Sequence, residues 1–197
     1  MASLSVQNNI SQVMKQFRGM DKKVVKKATV TALNKMVKEV AVVAKRELAE
    51  KTGLKKGTVS KKITTKKAKS TDLSARLTVG GRHFNLVEFG ARQVKAGVSH
   101  KGWGKRQVTK SAFIFTGKSS GKRLVGARVA GSKNSKGREK VKALHGASAP
   151  VEYFKARVDQ ILKAKIKTRF NKLLATALDY QFSRALKSDK VLGQFVK

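Results

Sequence analysis

The hydrophobic periodicity of this chain changes twice, and its middle section has the pattern of a β-sheet. Within Leu86–Ser99 apolar residues alternate with polar ones, and Glu88 and Arg92 fall on the side opposite the apolar residues. A period of two places the apolar side chains on one face of a strand. The pattern predicts a half-buried pair of strands, in which Gly90 and Gly97 mark bends or bulges.

Helical periodicity dominates on both sides of this section. Apolar residues recur every three or four positions over 22–51 and again over 150–187, and a shorter amphipathic helix is predicted over 4–18. Gly53 is expected to end the first long helix, and Pro150 suits the first turn of the last one. A straight helix over 150–187 would be about 55 Å long. We therefore expect it either to break or to reach out to pack against another molecule.

These patterns predict an α+β fold, with a small, mostly antiparallel sheet flanked by a long N-terminal helix and a long C-terminal helix. We expect a single domain over residues 1–197, because a chain of this length builds one hydrophobic core. Its predicted parts are N-terminal helices (1–53), a basic connector (54–71), a β-sheet core with basic loops (72–146) and a C-terminal helix (147–197). Further strands are predicted at 72–79, 112–116, 124–129 and 140–144, and structural turns at Gly90, Gly97, Gly146 and Pro150.

The charge balance restricts the partners. Lys and Arg total 46 against 11 acids, which gives a formal net charge of +35. Such a charge repels itself in a compact monomer and is best tolerated beside nucleic acid, an acidic protein or an anionic membrane. No apolar run is long enough to span a bilayer. The absence of cysteine and of a signal-peptide pattern leads us to expect a cytoplasmic protein. The candidate contacts to DNA or an acidic partner are Lys55, Lys56, Lys61, Lys62, Lys101, Lys105, Arg106, Lys118, Lys122, Arg123, Lys133, Lys136 and Arg138.

Residues 45–63 support one interpretation of this charge, that of a cellular basic nucleic-acid-binding protein with a helix-turn-helix-like element. Ala49, Gly53 and Val59 have the spacing of a helix-turn-helix, in which 55–62 would be the recognition helix. However, Lys62 stands where a buried aliphatic residue is usual, and no third helix follows. A short basic connector helix is favoured.

The sequence contains no pattern typical of an active site. His83, His100 and His145 lack the spacing of metal ligands, and acids are too few to supply others. Residues 117–123 resemble a phosphate-binding loop only loosely, because Arg123 stands where a Ser or Thr would hold magnesium. We expect no catalytic residue, no cofactor and no metal.

Three segments carry a more specific signal, namely Phe84–Ser99, Lys110–Phe115 and Val141–Val151 in this order. With the basic character and the alanine-rich first helix, they resemble the minor tail protein Z family of long-tailed bacteriophages and prophages, the tail completion proteins. That family often has Gly-Pro-Ser where this chain reads Gly146-Ala147-Ser148.

The resemblance implies a virion structural protein at the head-proximal end of the tail, which forms a ring around the DNA passage and helps to join tail to head without catalysis. It implies as partners other copies of the chain in a six-fold ring, tail terminator, tail tube or neck proteins, and, non-specifically, the DNA in the channel, but no membrane. The protein would be assembled in the host cytoplasm and reside in the virion. A basic assembly factor that leaves before completion is a further alternative. The candidate interface residues are Glu88 and Arg92, expected to form a local or intersubunit ion pair, together with Trp103, Phe154, Phe170 and Leu174.

Overall fold

The computed structural model describes residues 2–6, 22–117 and 121–188. The helices of these residues are α1 (Lys22–Thr52), α2 (Lys56–Ser60), α3 (Ala149–Lys155) and α4 (Val158–Ser188). Their strands are β1 (Ala2–Val6), β2 (Ile63–Lys66), β3 (Ala75–Val79), β4 (Arg92–Val94), β5 (Gly97–His100), β6 (Gln107–Lys110), β7 (Ala112–Thr116), β8 (Arg123–Lys133) and β9 (Glu139–Ala143). Long terminal helices with small antiparallel sheets confirm the predicted α+β class.

The contacts within the chain divide it into two compact units. The first unit contains Lys45–Lys62 and Val79–Ala156, and the second contains Ala2–Ala44, Ile63–Thr78 and Arg157–Lys197. The expectation of a single domain stays a prediction.

The second unit combines the first part of α1 with α4 and with a three-stranded sheet in the order β1–β3–β2. Glu39 on α1 forms an ion pair with Arg169 on α4, with 3.4 Å between Oε2 and Nε. The side-chain amide of Asn34 on α1 satisfies both backbone polar groups of Ala68. It donates to the carbonyl of Ala68 at 3.1 Å and accepts from its N–H at 2.8 Å. The buried apolar residues of this unit recur at helical spacing on both helices: Val25, Ala28, Ala32, Met36 and Val40 on α1, and Leu162, Phe170, Leu173, Leu174, Ala177 and Leu178 on α4.

The end of α1 agrees with the sequence pattern. Gly53 has φ of +72° and its N–H donates to the carbonyl of Ala49 at 2.9 Å, as expected of a glycine that follows a helix. The start of the predicted helix over 4–18 is wrong, because residues 2–6 form strand β1. The remainder of that predicted helix lies outside the described residues.

The first unit holds two antiparallel sheets of three strands, in the orders β4–β5–β6 and β7–β8–β9. Gln93 links them, because its Oε1 accepts from the N–H of Ile114 on β7 at 3.0 Å and its Nε2 donates to the carbonyl of Gly97 on β5 at 2.8 Å. At Gly97, where φ is +146°, a Cβ would collide with the carbonyl oxygen of Thr109. The close pairing of β5 with β6 therefore requires glycine at this position.

The predicted strand pair over 86–99 is half right. Arg92–Val94 and Gly97–His100 pair as antiparallel strands, but Leu86–Phe89 is a 3₁₀ helix. The side chain of Asn85 accepts from the N–H of Val87 at 3.1 Å, which favours a helical start over an extended chain. Gly90, with φ of +64°, ends this 3₁₀ helix.

Two other expectations need correction, because strand β2 lies inside the predicted connector and β6 lies in a predicted loop. Of the two outcomes expected for the C-terminal helix, the structure shows the break, which falls between α3 and α4 where Arg157 has φ of +50°. Pro150 lies in the first turn of α3, and a Cβ on Gly146 would come within 2.8 Å of the Phe89 ring; the assignment of both as structural turns stays a prediction.

Candidate interaction surface

A long basic segment covers most of both sheets of the first unit. Residues 89–138 contain 13 Lys and Arg and no Asp or Glu. Every one of these basic side chains that the structure describes is exposed. Since the segment contains no acid to offset their charge, it forms a positively charged surface suited to polyanions.

The basic residues of the connector lie around the five-residue helix α2. Lys55, Lys56 and Lys61 are exposed, whereas Lys62 is half-buried with its Nζ 5.6 Å from the centre of the Phe84 ring. Strand β2 follows α2 directly. A short connector helix is therefore present, and its five residues are fewer than the eight of the recognition helix predicted over 55–62 for the helix-turn-helix alternative.

The loop cations fall into separate groups. Lys101 and Lys105 flank Trp103, and Arg106 donates to Ser99 Oγ at 2.9 Å. Arg92 and Arg123 line a groove of about 560 Å³ beside β7. Lys122 is exposed at the start of β8, and Lys133, Lys136 and Arg138 are exposed at the far end of the β8–β9 hairpin. Lys118 lies outside the described residues.

Trp103 is held in an unusual conformation between two glycines. Its φ is 49° and its ψ 37°, a left-handed conformation that is uncommon for a bulky residue. The indole stacks on Phe89 with 6.4 Å between ring centres, and its Nε1 donates to Glu152 Oε1 at 3.3 Å. Nevertheless 48% of the residue is exposed. A fixed, half-exposed tryptophan fits the predicted role as a contact anchor, which stays a prediction.

The other interface candidates separate into exposed and buried residues. Phe154 on α3 is 60% exposed, but Phe170 and Leu174 on α4 are buried. Their burial makes these two residues part of the core of the second unit and corrects their assignment to an interface. Glu88 accepts from Thr58 Oγ1 at 3.4 Å, and no ion pair joins it to Arg92 within the described part of the chain. The intersubunit pair stays a prediction.

The histidines are placed differently from one another. His83 and His145 are exposed, whereas His100 is buried with its Nε2 3.0 Å from Thr109 Oγ1 and with no hydrogen-bond partner at Nδ1. Burial, and secondarily the charge of Arg106, lowers the pKa of His100. Among the described residues, no group of three His, Cys, Asp or Glu side chains could hold a metal ion.

Sequence reasoning missed part of the basic surface and the amides that shape it. Lys95, Lys110 and Arg128 are exposed as well, and the absence of acids over 89–138 is the signal that could have found them. The structural role of Asn85 and Gln93 had no such signal, because their partners are backbone groups of strands far along the chain.

Comparisons with known proteins give one match. Residues 8–188 match the family described as prophage minor tail protein Z (GPZ). Searches of curated proteins and of solved structures returned no significant match. In the part of the chain that the structure describes, no helix is long and apolar enough to cross a membrane. The match extends over nearly all of the sequence, and the chain belongs to the prophage minor tail protein Z family, a family of structural phage tail proteins.

Proposed function

We propose that this phage tail protein completes the tail at its head-proximal end, where copies of it form a ring around the DNA passage and join the tail to the head. The observation that carries the proposal is the exposed, acid-free basic surface of residues 89–138. A virion component with so large an excess of positive charge needs DNA phosphates or acidic neighbouring subunits beside it.

The contacts between copies are proposed to use the exposed apolar side chains of the first unit. Trp103 and Phe154 are both large and exposed, and aromatic residues of this kind dominate the energy of protein interfaces. A ring of six copies would match a six-fold tail tube. Phe170 and Leu174 on α4 no longer support this proposal, because both are buried within the chain, although Ile161 on the same helix is exposed.

The proposed role is structural and includes no catalytic step. Its contacts with DNA are proposed to be with phosphates and not with bases, so that binding falls steeply with salt and is indifferent to sequence. The helix-turn-helix alternative requires the opposite behaviour. Replacing Lys55, Lys56, Lys61 and Lys62 would then weaken a preferred duplex more than a random one, by about 1–3 kcal/mol for each base that is no longer bound.

Deletion of the gene from a phage that carries it tests the proposal. We expect filled heads and full-length tails to accumulate without joining, and supplied wild-type protein to restore joined particles, both counted by electron microscopy. A Trp103→Ala, Phe154→Asp double variant should fail to restore them, whereas the control Val42→Asp, at an exposed residue of α1, should succeed. Joined particles in the deletion strain, or tails that fail to form at all, would refute the proposed place in assembly.

A further inference from the structure

The β8–β9 hairpin continues beyond the sheet to which it belongs. Strand β7 pairs with β8 only as far as Ala127, whereas β8 continues to Lys133 and pairs there with Glu139 of β9. Residues 128–141, which we call the β8–β9 arm, are therefore two-stranded, and the register is interrupted by a bulge in β8 between Arg128 and Lys133. All of them are exposed except Ser132 and Glu139, which are half-buried.

The tip of the arm is ordered by its own hydrogen bonds. Asn134 Oδ1 accepts from the N–H groups of Lys136 at 2.9 Å and of Arg138 at 3.1 Å. The backbone N–H of Asn134 donates to the carbonyl of Arg138 at 2.7 Å, and Gly137 adopts the left-handed conformation that the turn needs, with φ of +70°. The tip thus presents Lys133, Lys136 and Arg138 on a defined turn instead of a loose loop.

Cations lie on both faces of the arm. Arg128 stands directly opposite Val141 in the strand register, so these two side chains share a face. Lys140 is the neighbour of Val141 in β9 and therefore points to the other face. The one acid of the arm, Glu139, stands opposite Lys133. Both faces and the tip are consequently positive.

A two-stranded ribbon exposed on both faces is marginally stable in water, and the exposed Val129 and Val141 add apolar surface to it. The arm therefore gains stability from a partner that surrounds it. A second copy of this chain is unsuitable because its net charge of +35 repels the arm. An acidic protein surface would meet one face of the ribbon. A groove between two phosphate backbones meets both faces.

We propose that the β8–β9 arm inserts into a groove of duplex DNA and binds the phosphates on both sides of it without reading bases. The major groove is about 12 Å wide and admits a two-stranded β-ribbon. On the β9 side Arg138, where the turn closes, lies only three positions before Val141, so the arm would extend roughly 10 Å into the groove before its tip. This inference rests on the proposed function in one respect, namely that DNA passes this protein in the virion.

The test compares two variants of the full chain with equal net charge. One is K133Q/K136Q/R138Q in the arm, and the other is the control K38Q/K167Q/K172Q, which removes three exposed lysines of the second unit. The probe is a 24-base-pair duplex of random sequence, titrated between 50 and 200 mM salt. Each phosphate contact contributes about 0.9 to the slope of log affinity against log salt.

We expect the arm variant to lose up to about 2.7 in that slope and at least about tenfold in affinity at 100 mM salt. The control should lose less than about threefold, because only the general attraction of the charge is reduced. Equal losses in the two variants would overturn the proposal, since charge alone would then explain the binding.

Photo-crosslinking provides a second measurement, which does not depend on removing charged residues. The chain contains no cysteine, so Ser135→Cys places a single photo-crosslinker at the tip, and Ser183→Cys provides an exposed control on α4. Only the tip should crosslink to the duplex. Failure of the tip to crosslink to the duplex would refute the binding of the arm to DNA. If the arm variant also failed to join heads to tails in phage, the partner of the arm would be an acidic tail protein. Normal joining with the arm variant would leave the proposed function intact, because that function is tested by the gene deletion.

Discussion

The side chain of Asn85 should be among the most important for the stability of the first unit. The residue is 9% exposed and links the 3₁₀ helix to β8. Its Oδ1 accepts from the N–H of Val125 at 2.9 Å and from that of Val87 at 3.1 Å, and its Nδ2 donates to the carbonyl of Val125 at 3.3 Å. Since Val125 is 0% exposed, water cannot easily replace these bonds.

Asn85→Ala leaves the buried N–H of Val125 without its partner, whereas the carbonyl of Val125 keeps the bond that it accepts from the N–H of Leu144 at 2.8 Å. One such unpaired group costs about 1–3 kcal/mol, and we expect a loss of that size in the free energy of unfolding of this unit. Asn134→Ala is the matched control, because Asn134 also accepts two backbone N–H bonds but is exposed. Water can take over those bonds, and the expected loss is below about 1 kcal/mol.

The assay is urea unfolding followed by the fluorescence of Trp103, the only tryptophan of the chain, which lies in the same unit as both asparagines. The midpoint should shift strongly for Asn85→Ala and weakly for Asn134→Ala, with an unchanged dependence on urea. Equal shifts for the two variants, or a larger one for Asn134→Ala, would show that the buried amide does not stabilise the unit in this way.

Three further predictions concern the core and the pH dependence. Gly97→Ala should destabilise the first unit by several kcal/mol, roughly the scale of severe core mutations, because the new Cβ collides with the Thr109 carbonyl; a normal urea midpoint would contradict this. Phe170→Asp should make the protein insoluble, since Phe170 is buried, whereas Phe154→Asp at an exposed position should give soluble, folded protein in a sedimentation assay. Burial holds the pKa of His100 below 6.5, so the unfolded chain binds its proton first. The stability that neutral His100 contributes to the folded state is therefore full above pH 6.5 and is lost as pH falls toward the lower folded-state pKa. In the His100→Gln variant, the melting temperature should depend less on pH in this range.

The sequence predicted the elements whose apolar residues recur with a clear period. The apolar spacing of α1 and the glycine at 53 defined that helix almost to the residue, and the alternation of β3 marked its buried face. Strand β2 was missed because only Ile63 of its four residues is buried, and β6 because none of its residues is. Neither strand has an apolar alternation to detect.

The remaining errors arise from contacts between residues distant in sequence. Val87 and Phe89 have the spacing of a strand, but the side chain of Asn85, itself fixed on β8, starts a 3₁₀ helix there. No glycine or proline marks the break between α3 and α4, so the left-handed Arg157 could not be foreseen. The basic candidate residues were recognised from charge alone, whereas the arm that groups Lys133, Lys136 and Arg138 depends on how far β7 extends along β8.

Labelling of assembled virions tests the central claim most directly. A short epitope tag at the exposed Ser70, in the loop between β2 and β3, detected with gold-conjugated antibody on purified tails and on complete phage, would locate the protein by electron microscopy. We predict label at the head-proximal end of free tails, with labelling reduced in complete phage where the head covers the site. Label at the distal tip, or tails and virions that carry none, would contradict the proposed place of this protein in the tail.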